Sequence, residues 1–236
     1  KSGQRMPDQE QAQVLHIDQV RQLFVDDYVV EEIEGLTRSL HTVRKHPDNP
    51  VLRPEPSTEG TSIEYTTVIW DAAANLFKAW YVVGDNQDAR SSPGAKSRYT
   101  LQSCYATSPD GIHWDKPFMD IAPFHGLESN ILLRDAHGAG VFYDEHERDP
   151  ARKYKMFTQF LFRKKQMPGS PEPDYMPYIS VAFSTDGLRW GKPIPCPEIE
   201  SAGDTHNNAF WAPELNKYVG ITRHWKDGRV ERGGLR

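Results

Sequence analysis

Short apolar runs separated by polar turns recur along the chain, and helical periodicity is weak throughout. Three segments, 68–82, 141–160 and 209–222, each consist of an apolar strand, a polar turn and a second strand. In each segment the first strand ends close to an aromatic residue: Trp70, Tyr143 or Trp211. The second strand then carries an aromatic residue beside a lysine, as in Phe77-Lys78. This pattern predicts three β-hairpins.

A twelve-residue phrase occurs twice. ATSPDGIHWDKP spans Ala106–Pro117, AFSTDGLRWGKP spans Ala182–Pro193, and seven of the twelve positions are identical. Each copy follows a β-type run. Its Asp-Gly pair is turn chemistry, because Asp bonds to its own backbone and Gly accepts a positive φ. Trp114 and Trp190 follow at the same distance. The phrase predicts a repeated turn that a tryptophan seals against its sheet.

Combining the two repeats gives a unit of hairpin, third strand, Asp-Gly turn and connecting strand. Repeats of four strands indicate a β-propeller, whose blades bury their faces against neighbouring blades. We therefore predict an all-β fold of four-stranded antiparallel blades, with about two and a half blades in this chain. Blade one covers residues 62–134, blade two 135–203 and a partial blade three 204–236.

The residues ahead of blade one fall into two parts. Residues 1–22 are predicted to be a polar tail, and residues 23–61 to hold two closing strands within Leu23–Val43 and a Pro-rich link. Propellers close with about four to eight blades, so more blades than these are expected. We expect them from a missing C-terminal part or a partner chain, since an open blade would expose unpaired strand edges.

Composition removes several classes of function. A net charge of −5 without a long basic run argues against nucleic acid as the main partner. No apolar stretch approaches the ~20 residues of a membrane span. Two cysteines, Cys104 and Cys196, form neither a disulfide framework nor a metal motif. The 17 glycines and 18 prolines suit a turn-rich all-β protein.

Several motifs together resemble a known superfamily. LFVDDYVV, HPDNPVL, SPDGIHW, STDGLRW and GDTHNNAFW followed by KYVGITR are similar to segments of bacterial secreted five-bladed propeller glycoside hydrolases. That superfamily includes invertase-like, arabinanase-like and mannoside-phosphorylase-like enzymes. The resemblance covers residues 23–236. It implies five blades when complete, a carbohydrate substrate, no required cofactor and a secreted or periplasmic location.

The resemblance also implies one carboxylate from each of the first three blades. The candidate catalytic residues are Glu64, with Glu59 in reserve, Asp135 and Asp204. Glycoside cleavage needs two carboxyl groups that flank the scissile bond. In arabinanase-like enzymes the first-blade residue is usually Asp and the third-blade residue usually Glu. This chain has the reverse, so the individual roles stay open.

A separate pattern pairs a carboxylate with an imidazole. Asp135-Ala136-His137 and Asp204-Thr205-His206 both stand ahead of an inner strand, where residues two apart share a face. One interpretation is sugar binding by the imidazoles together with Asn207 or Asn208. The other is a divalent cation in the channel, because His and carboxylate ligands suit several such ions. Arg223 is a candidate ligand for an anionic group or a partner in a salt bridge. Tyr81 or its neighbour Trp80 is a candidate for a surface on which a sugar stacks.

Three classes of function remain open. The leading hypothesis is a glycoside hydrolase, and the second is a phosphorylase on the same fold with Arg134 and Arg223 as phosphate ligands. The third is a noncatalytic sugar-binding propeller. An accessible pocket between two carboxyl groups favours hydrolysis, whereas carboxylates engaged by Arg or Lys favour the third class.

Overall fold

The computed structural model describes residue 17 and residues 22–85, 100–163, 175–201, 203–226 and 229–235. It divides into two units, Lys1–His46 and Pro47–Arg236. Most of the predicted tail, residues 1–22, lies outside the described residues. Within the described part, no helix is both long enough and apolar enough to cross a membrane.

The first unit has turns and extended segments over its described residues 22–46, without a strand. The prediction of two strands in Leu23–Val43 was therefore wrong. The apolar side chains that suggested strands are largely exposed, from Phe24 at 62% to Val43 at 91%. A strand needs a paired neighbour and a covered face, and the described residues of this unit supply neither.

The second unit begins with a four-stranded antiparallel sheet. Its first three strands are consecutive: β1 (Ser62–Asp71), β2 (Leu76–Asp85) and β3 (Thr100–Ser108). A small hairpin of β4 (Met119–Phe124) and β5 (Leu127–Ser129) follows. The chain then returns to pair β6 (Ile131–Arg134) with β3, which gives the sheet order β1-β2-β3-β6.

The next sheets repeat this course. The second sheet contains β7 (Ala136–Tyr143), β8 (Tyr154–Arg163), β9 (Tyr175–Ser184) and β10 (Ile194–Pro195), with a 3-10 turn at Pro150–Arg152 before β8. The third contains β11 (Asn208–Ala212), β12 (Lys217–Lys226) and β13 (Arg229–Leu235). The all-β prediction is confirmed. Two four-stranded sheets followed by an incomplete third form a propeller-like arrangement.

The repeated phrase folds into the same turn in both sheets. In the first copy the Ser108 hydroxyl accepts the Gly111 N–H at 2.8 Å, and the Asp110 carboxylate accepts two backbone N–H groups at 2.8 Å each. In the second copy Ser184 accepts from Gly187 at 2.9 Å, and Asp186 again accepts two backbone N–H groups at 2.8 Å. The two copies are therefore one structural unit used twice.

Each tryptophan packs on the corresponding face of its sheet. Trp114 packs against a buried cluster that includes Ala79 and Ala106, which are paired across β2 and β3. Trp190 packs against the cluster that includes Met156 and Ala182, the equivalent pair across β8 and β9. In the second sheet that face is buried against the first sheet. The predicted equivalence of the two tryptophans is thus seen in the packing.

One hydrogen bond distinguishes the two copies. The Trp114 indole N–H donates to the Gly111 carbonyl at 3.1 Å. In the second copy the Gly187 carbonyl instead accepts the indole N–H of Trp80, from the first sheet, at 2.6 Å. The buried indole N–H of Trp190 has no partner among the described residues. The turn carbonyl therefore joins two sheets in the second copy, whereas in the first copy it accepts a hydrogen bond from within its own turn.

The first strands of the three sheets lie side by side. β1 contacts β7, and β7 contacts β11. Glycine permits the second approach, because a Cβ at Gly140 would lie 2.1 Å from the carbonyl oxygen of Asn207. At Gly138, which has φ +60°, a Cβ would lie 1.6 Å from the Thr205 carbonyl oxygen. Residues far apart in sequence meet at this edge.

Candidate functional site

A bulge in β1 brings two consecutive side chains to one place. The register of β1 against β2 shifts between Ile63 and Thr66, and such a shift interrupts the usual alternation of side chains. As a result Glu64 and Tyr65 both reach His137. The Glu64 carboxylate lies 4.0 Å from His137 Nε2, and the rings of Tyr65 and His137 are 5.6 Å apart.

His137 begins the corresponding strand of the second sheet. Its Nδ1 lies 3.0 Å from the Gln159 side-chain oxygen on β8, which fixes the orientation of the ring. The side chain is 16% exposed, and its Nε2 edge faces Glu64. The imidazole is held on one side by Gln159 and available on the other for a hydrogen bond to a ligand.

The segment before β11 supplies the third side of the site. The His206 ring stacks on Tyr65 at 5.7 Å and 28°, and its Nε2 lies 3.3 Å from the Thr67 hydroxyl. Burial lowers the pKa of His206 below its usual 6.5 and so favours the neutral form of the ring. Tyr65 is therefore flanked by two imidazoles from two different sheets.

An ion pair from the third sheet lies in the electrostatic range of the same tyrosine. Arg223 on β12 lies 3.2 Å from the Asp204 carboxylate. Burial raises the pKa of Tyr65, Glu64 and Asp204 raise it further, and Arg223 opposes them. We call Glu64, Tyr65, His137, His206 and the Asp204–Arg223 pair the inner-strand cluster.

The sequence predicted five of these six residues, whose roles as catalytic or binding groups stay predictions. It missed Tyr65, along with its neighbours Thr67 and Gln159. Tyr65 was missed because alternation along β1 would place it opposite Glu64, and a bulge has no signal in this sequence. The adjacent pair Glu64-Tyr65 ahead of an apolar run was the available clue.

Asp135 occupies the junction between β6 and β7. It adopts a left-handed conformation with φ +59°, which Asp tolerates better than most residues. Its N–H donates to the Leu101 carbonyl at 2.8 Å, and its carbonyl accepts from Leu161 at 3.3 Å. The backbone of Asp135 thus ties the first sheet to the second, and a catalytic role for its side chain stays a prediction.

Tyr81 does not offer a stacking surface for a sugar. It is fully buried, and its hydroxyl donates to Glu59 at 2.6 Å and accepts from Asn130 at 2.6 Å. Burial and the adjacent Glu59 carboxylate raise its pKa far above the usual value. Trp80 is buried on the opposite face. Both rings of this pair are core residues, so the binding role predicted for Tyr81 was wrong.

Asn207 is a second correction. Its side chain is fully buried and inaccessible to a ligand. The amide nitrogen lies within hydrogen-bond distance of four backbone carbonyls, those of Gly203 at 2.8 Å, Thr205 at 3.0 Å, Gly138 at 3.2 Å and His137 at 3.4 Å. Its oxygen accepts from the Thr222 hydroxyl at 2.6 Å. Asn207 therefore joins the second and third sheets.

Two further candidate groups lie away from the cluster. The reserve carboxylate Glu59 is fully buried in an ion pair with Lys116. Arg134, considered as a phosphate ligand, donates to Gln102 at 3.2 Å and to the Pro123 carbonyl. Among the described residues, no three His, Cys, Asp or Glu side chains are grouped so as to hold a metal ion.

Comparison with solved structures finds chains that are similar to this one. No family model and no curated protein matches the chain. A crystal structure of an N-acetylgalactosamine deacetylase from F. plautii, in complex with blood group B trisaccharide, is similar to it with a TM-score of 0.45 and 15% identity. The likeness covers 78% of this chain and 49% of that one, so the chain spans about half the length of the solved protein. A likeness at this level assigns neither a family nor an activity.

Proposed function

We propose that the chain forms part of a carbohydrate-active enzyme, a glycoside hydrolase, whose site is the inner-strand cluster. The observation that carries the proposal is the contact of Tyr65 with imidazoles from two other sheets: His137, which Glu64 approaches, and His206, which follows Asp204 by two residues. Glycoside hydrolysis requires two carboxyl groups, one on each side of the scissile bond. Glu64 and Asp204 are those two groups in this proposal.

The remaining residues of the cluster bind the sugar. Tyr65 presents its ring to a sugar face and so takes the stacking role that the sequence predicted for Tyr81. His137 and His206, whose neutral form is favoured by burial, offer ring nitrogens to sugar hydroxyls. Arg223 orients Asp204 through their 3.2 Å contact. Asp135 orients the substrate or stabilises charge.

The test compares matched variants of the full-length protein on a panel of arabinan, galactan, mannan and fructan oligosaccharides. Glu64→Gln and Asp204→Asn should each lower turnover by about 10²–10⁴-fold, because acid–base help is worth that much. The control is Glu214→Gln in the exposed β11–β12 turn, which should leave turnover unchanged. Undiminished activity in either site variant would refute the assignment.

A noncatalytic sugar-binding role is the second candidate, and the Asp204–Arg223 pair favours it. A carboxylate already engaged by arginine is less available for proton transfer. An assay of reducing ends on the bound sugar separates the two candidates. An active hydrolase releases new reducing ends, whereas a binding protein leaves the sugar unchanged. A phosphorylase would show turnover only with added inorganic phosphate. Secretion and the contribution of further blades stay predictions.

A further inference from the structure

A cavity of about 890 Å³ lies on the first sheet beside the repeated turn. One wall is the Pro-rich link, Pro47–Thr58, and the other is the segment from Ile112 to Phe118. The volume falls in the range of small-molecule sites, roughly 300–1,000 Å³. The reaction proposed above uses none of these residues.

The two walls are fixed to each other by buried groups. The Lys116 ammonium, from one wall, binds both the Arg53 carbonyl of the other wall and the fully buried Glu59 carboxylate. Glu59 in turn accepts the Glu55 backbone N–H at 2.8 Å and the Tyr81 hydroxyl at 2.6 Å. A buried ion pair with all its oxygens engaged holds its surroundings firmly. The cavity is therefore largely formed before a ligand arrives.

The lining combines aromatic faces with polar edges. Trp114 is half-buried and Phe118 is 62% exposed. Arg53 and His113 are exposed at the same cavity and offer hydrogen-bond donors. A pyranose ring has an apolar C–H face and a rim of hydroxyls, so this lining matches a saccharide better than a purely apolar ligand.

The cavity is separate from the inner-strand cluster. Glu64 lies near the start of β1, whereas the Gly111 turn adjoins Phe77, which pairs with Trp70 near the end of β1. Glu64 and Trp70 are six positions apart along β1, about 20 Å at the usual rise per residue. None of the residues that line the cavity belongs to the inner-strand cluster.

We propose that this cavity is a noncatalytic saccharide-binding site, with the rings of Trp114 and Phe118 as its stacking platform and Arg53 and His113 as hydrogen-bonding groups. Its ligand is an oligosaccharide segment of a polymer. The inference does not depend on the inner-strand cluster, and either can fail without the other.

The repeat provides a matched control for the experiment. Phe118 follows Trp114-Asp-Lys-Pro, and Ile194, 50% exposed, follows Trp190-Gly-Lys-Pro in the second copy. Phe118→Ala removes the exposed ring at the cavity, and Ile194→Ala removes an exposed apolar side chain at the equivalent position outside it. Both side chains are exposed, so both variants should fold, as circular dichroism would verify.

The measurement is affinity electrophoresis of the full-length protein in gels that contain arabinan, galactan, xylan or mannan. At least one polysaccharide should retard the wild-type protein, the Ile194→Ala variant and the Glu214→Gln variant equally. Phe118→Ala should weaken that binding about tenfold, the expected effect of losing a stacking ring. The proposal is overturned if no polysaccharide retards the protein, or if Phe118→Ala binds as tightly as Ile194→Ala.

Discussion

The Tyr218 hydroxyl donates a 2.7 Å hydrogen bond to the Asp144 carboxylate, and this bond joins the third sheet to the second. Lys155 lies 3.1 Å from the same carboxylate and 5.6 Å from the centre of the Tyr218 ring. One interface earlier, Lys78 lies 2.6 Å from Asp71 and 5.9 Å from the centre of the Tyr154 ring. An Asp–Lys pair beside a tyrosine of the next sheet is thus a repeated connection.

Removing the Tyr218 hydroxyl should destabilise the protein. Tyr218→Phe leaves the buried Asp144 carboxylate without one donor, at a cost of about 1–2 kcal/mol in the free energy of unfolding. Tyr143→Phe, in an exposed residue of β7, is the control and should stay within about 0.5 kcal/mol of wild type. Urea titration followed by tryptophan fluorescence measures both variants. Equal stability of the two would show that the bond contributes nothing.

Acid should weaken the second sheet between about pH 4.5 and 2. Hydrogen bonds from Lys155 and the backbone lower the pKa of Glu147 to about 2 from 4.5. Burial opposes ionisation of Asp144, but donation by Tyr218 and Lys155 outweighs it and lowers its pKa. Because both pKa values are depressed on folding, their stabilisation is complete above pH 4.5 and is lost as pH falls toward 2.

A pair of variants checks this assignment. Glu147→Gln removes one of the depressed groups and should flatten the dependence of stability on pH in that range. Glu145→Gln, in a neighbouring exposed carboxylate, should keep the wild-type slope. Thermal melts from pH 5 to pH 2 give the slopes. A wild-type slope in Glu147→Gln would contradict the assignment.

A methyl group at position 140 should separate the second and third sheets. Its carbon would lie 2.1 Å from the Asn207 carbonyl oxygen, a backbone atom that cannot move aside alone. Gly140→Ala should cost about 1–3 kcal/mol or more, as overpacking does. Gly191→Ala, where the new carbon would lie 3.4 Å from its nearest neighbour, is the matched control. Denaturant unfolding would contradict the prediction if both variants lose the same stability.

The pKa values of two histidines should lie on opposite sides of the ordinary value of 6.5. Burial lowers the pKa of His206, whereas a 2.7 Å contact with the Asp110 carboxylate raises that of His113. NMR titration of the imidazole carbons measures both. Asp110→Asn should return His113 to about 6.5 and leave His206 unchanged. A His206 pKa above 6.5 would show that the ring is more exposed than the structure indicates.

The sequence predicted the sheets because their signals are local. The Asp-Gly turn is built from side chains within three residues, and the hairpins follow from alternating apolar runs. The accessibility of Tyr81 and Asn207 could not be predicted in this way. Tyr81 is buried beneath Glu59, which directly follows the Pro-rich link, and Asn207 by the close approach of two glycines in another sheet. Both depend on contacts between distant segments.

The residues of the inner-strand cluster differ in the same way: some have a local signal in the sequence, and Tyr65 does not. Asp204, His206 and Arg223 could be named because each stands near the end of a recognisable strand. Tyr65 joins them through a shift of register in β1, which depends on the pairing with β2 rather than on the local sequence. The strands predicted for Leu23–Val43 failed for the converse reason: their local pattern was suitable, but the described residues of that unit provide no covering layer.

The four carbonyls around Asn207 have a consequence for how a ligand is received. Two of them belong to His137 and Thr205, the latter beside His206, so one buried amide sets the spacing of the two imidazoles that flank Tyr65. Because Gln159 and Thr67 hold the two rings on this fixed backbone, the rings have little freedom left to lose when a ligand binds. The two rings lose their conformational entropy when the chain folds. Ordering them therefore lowers the affinity for a sugar very little.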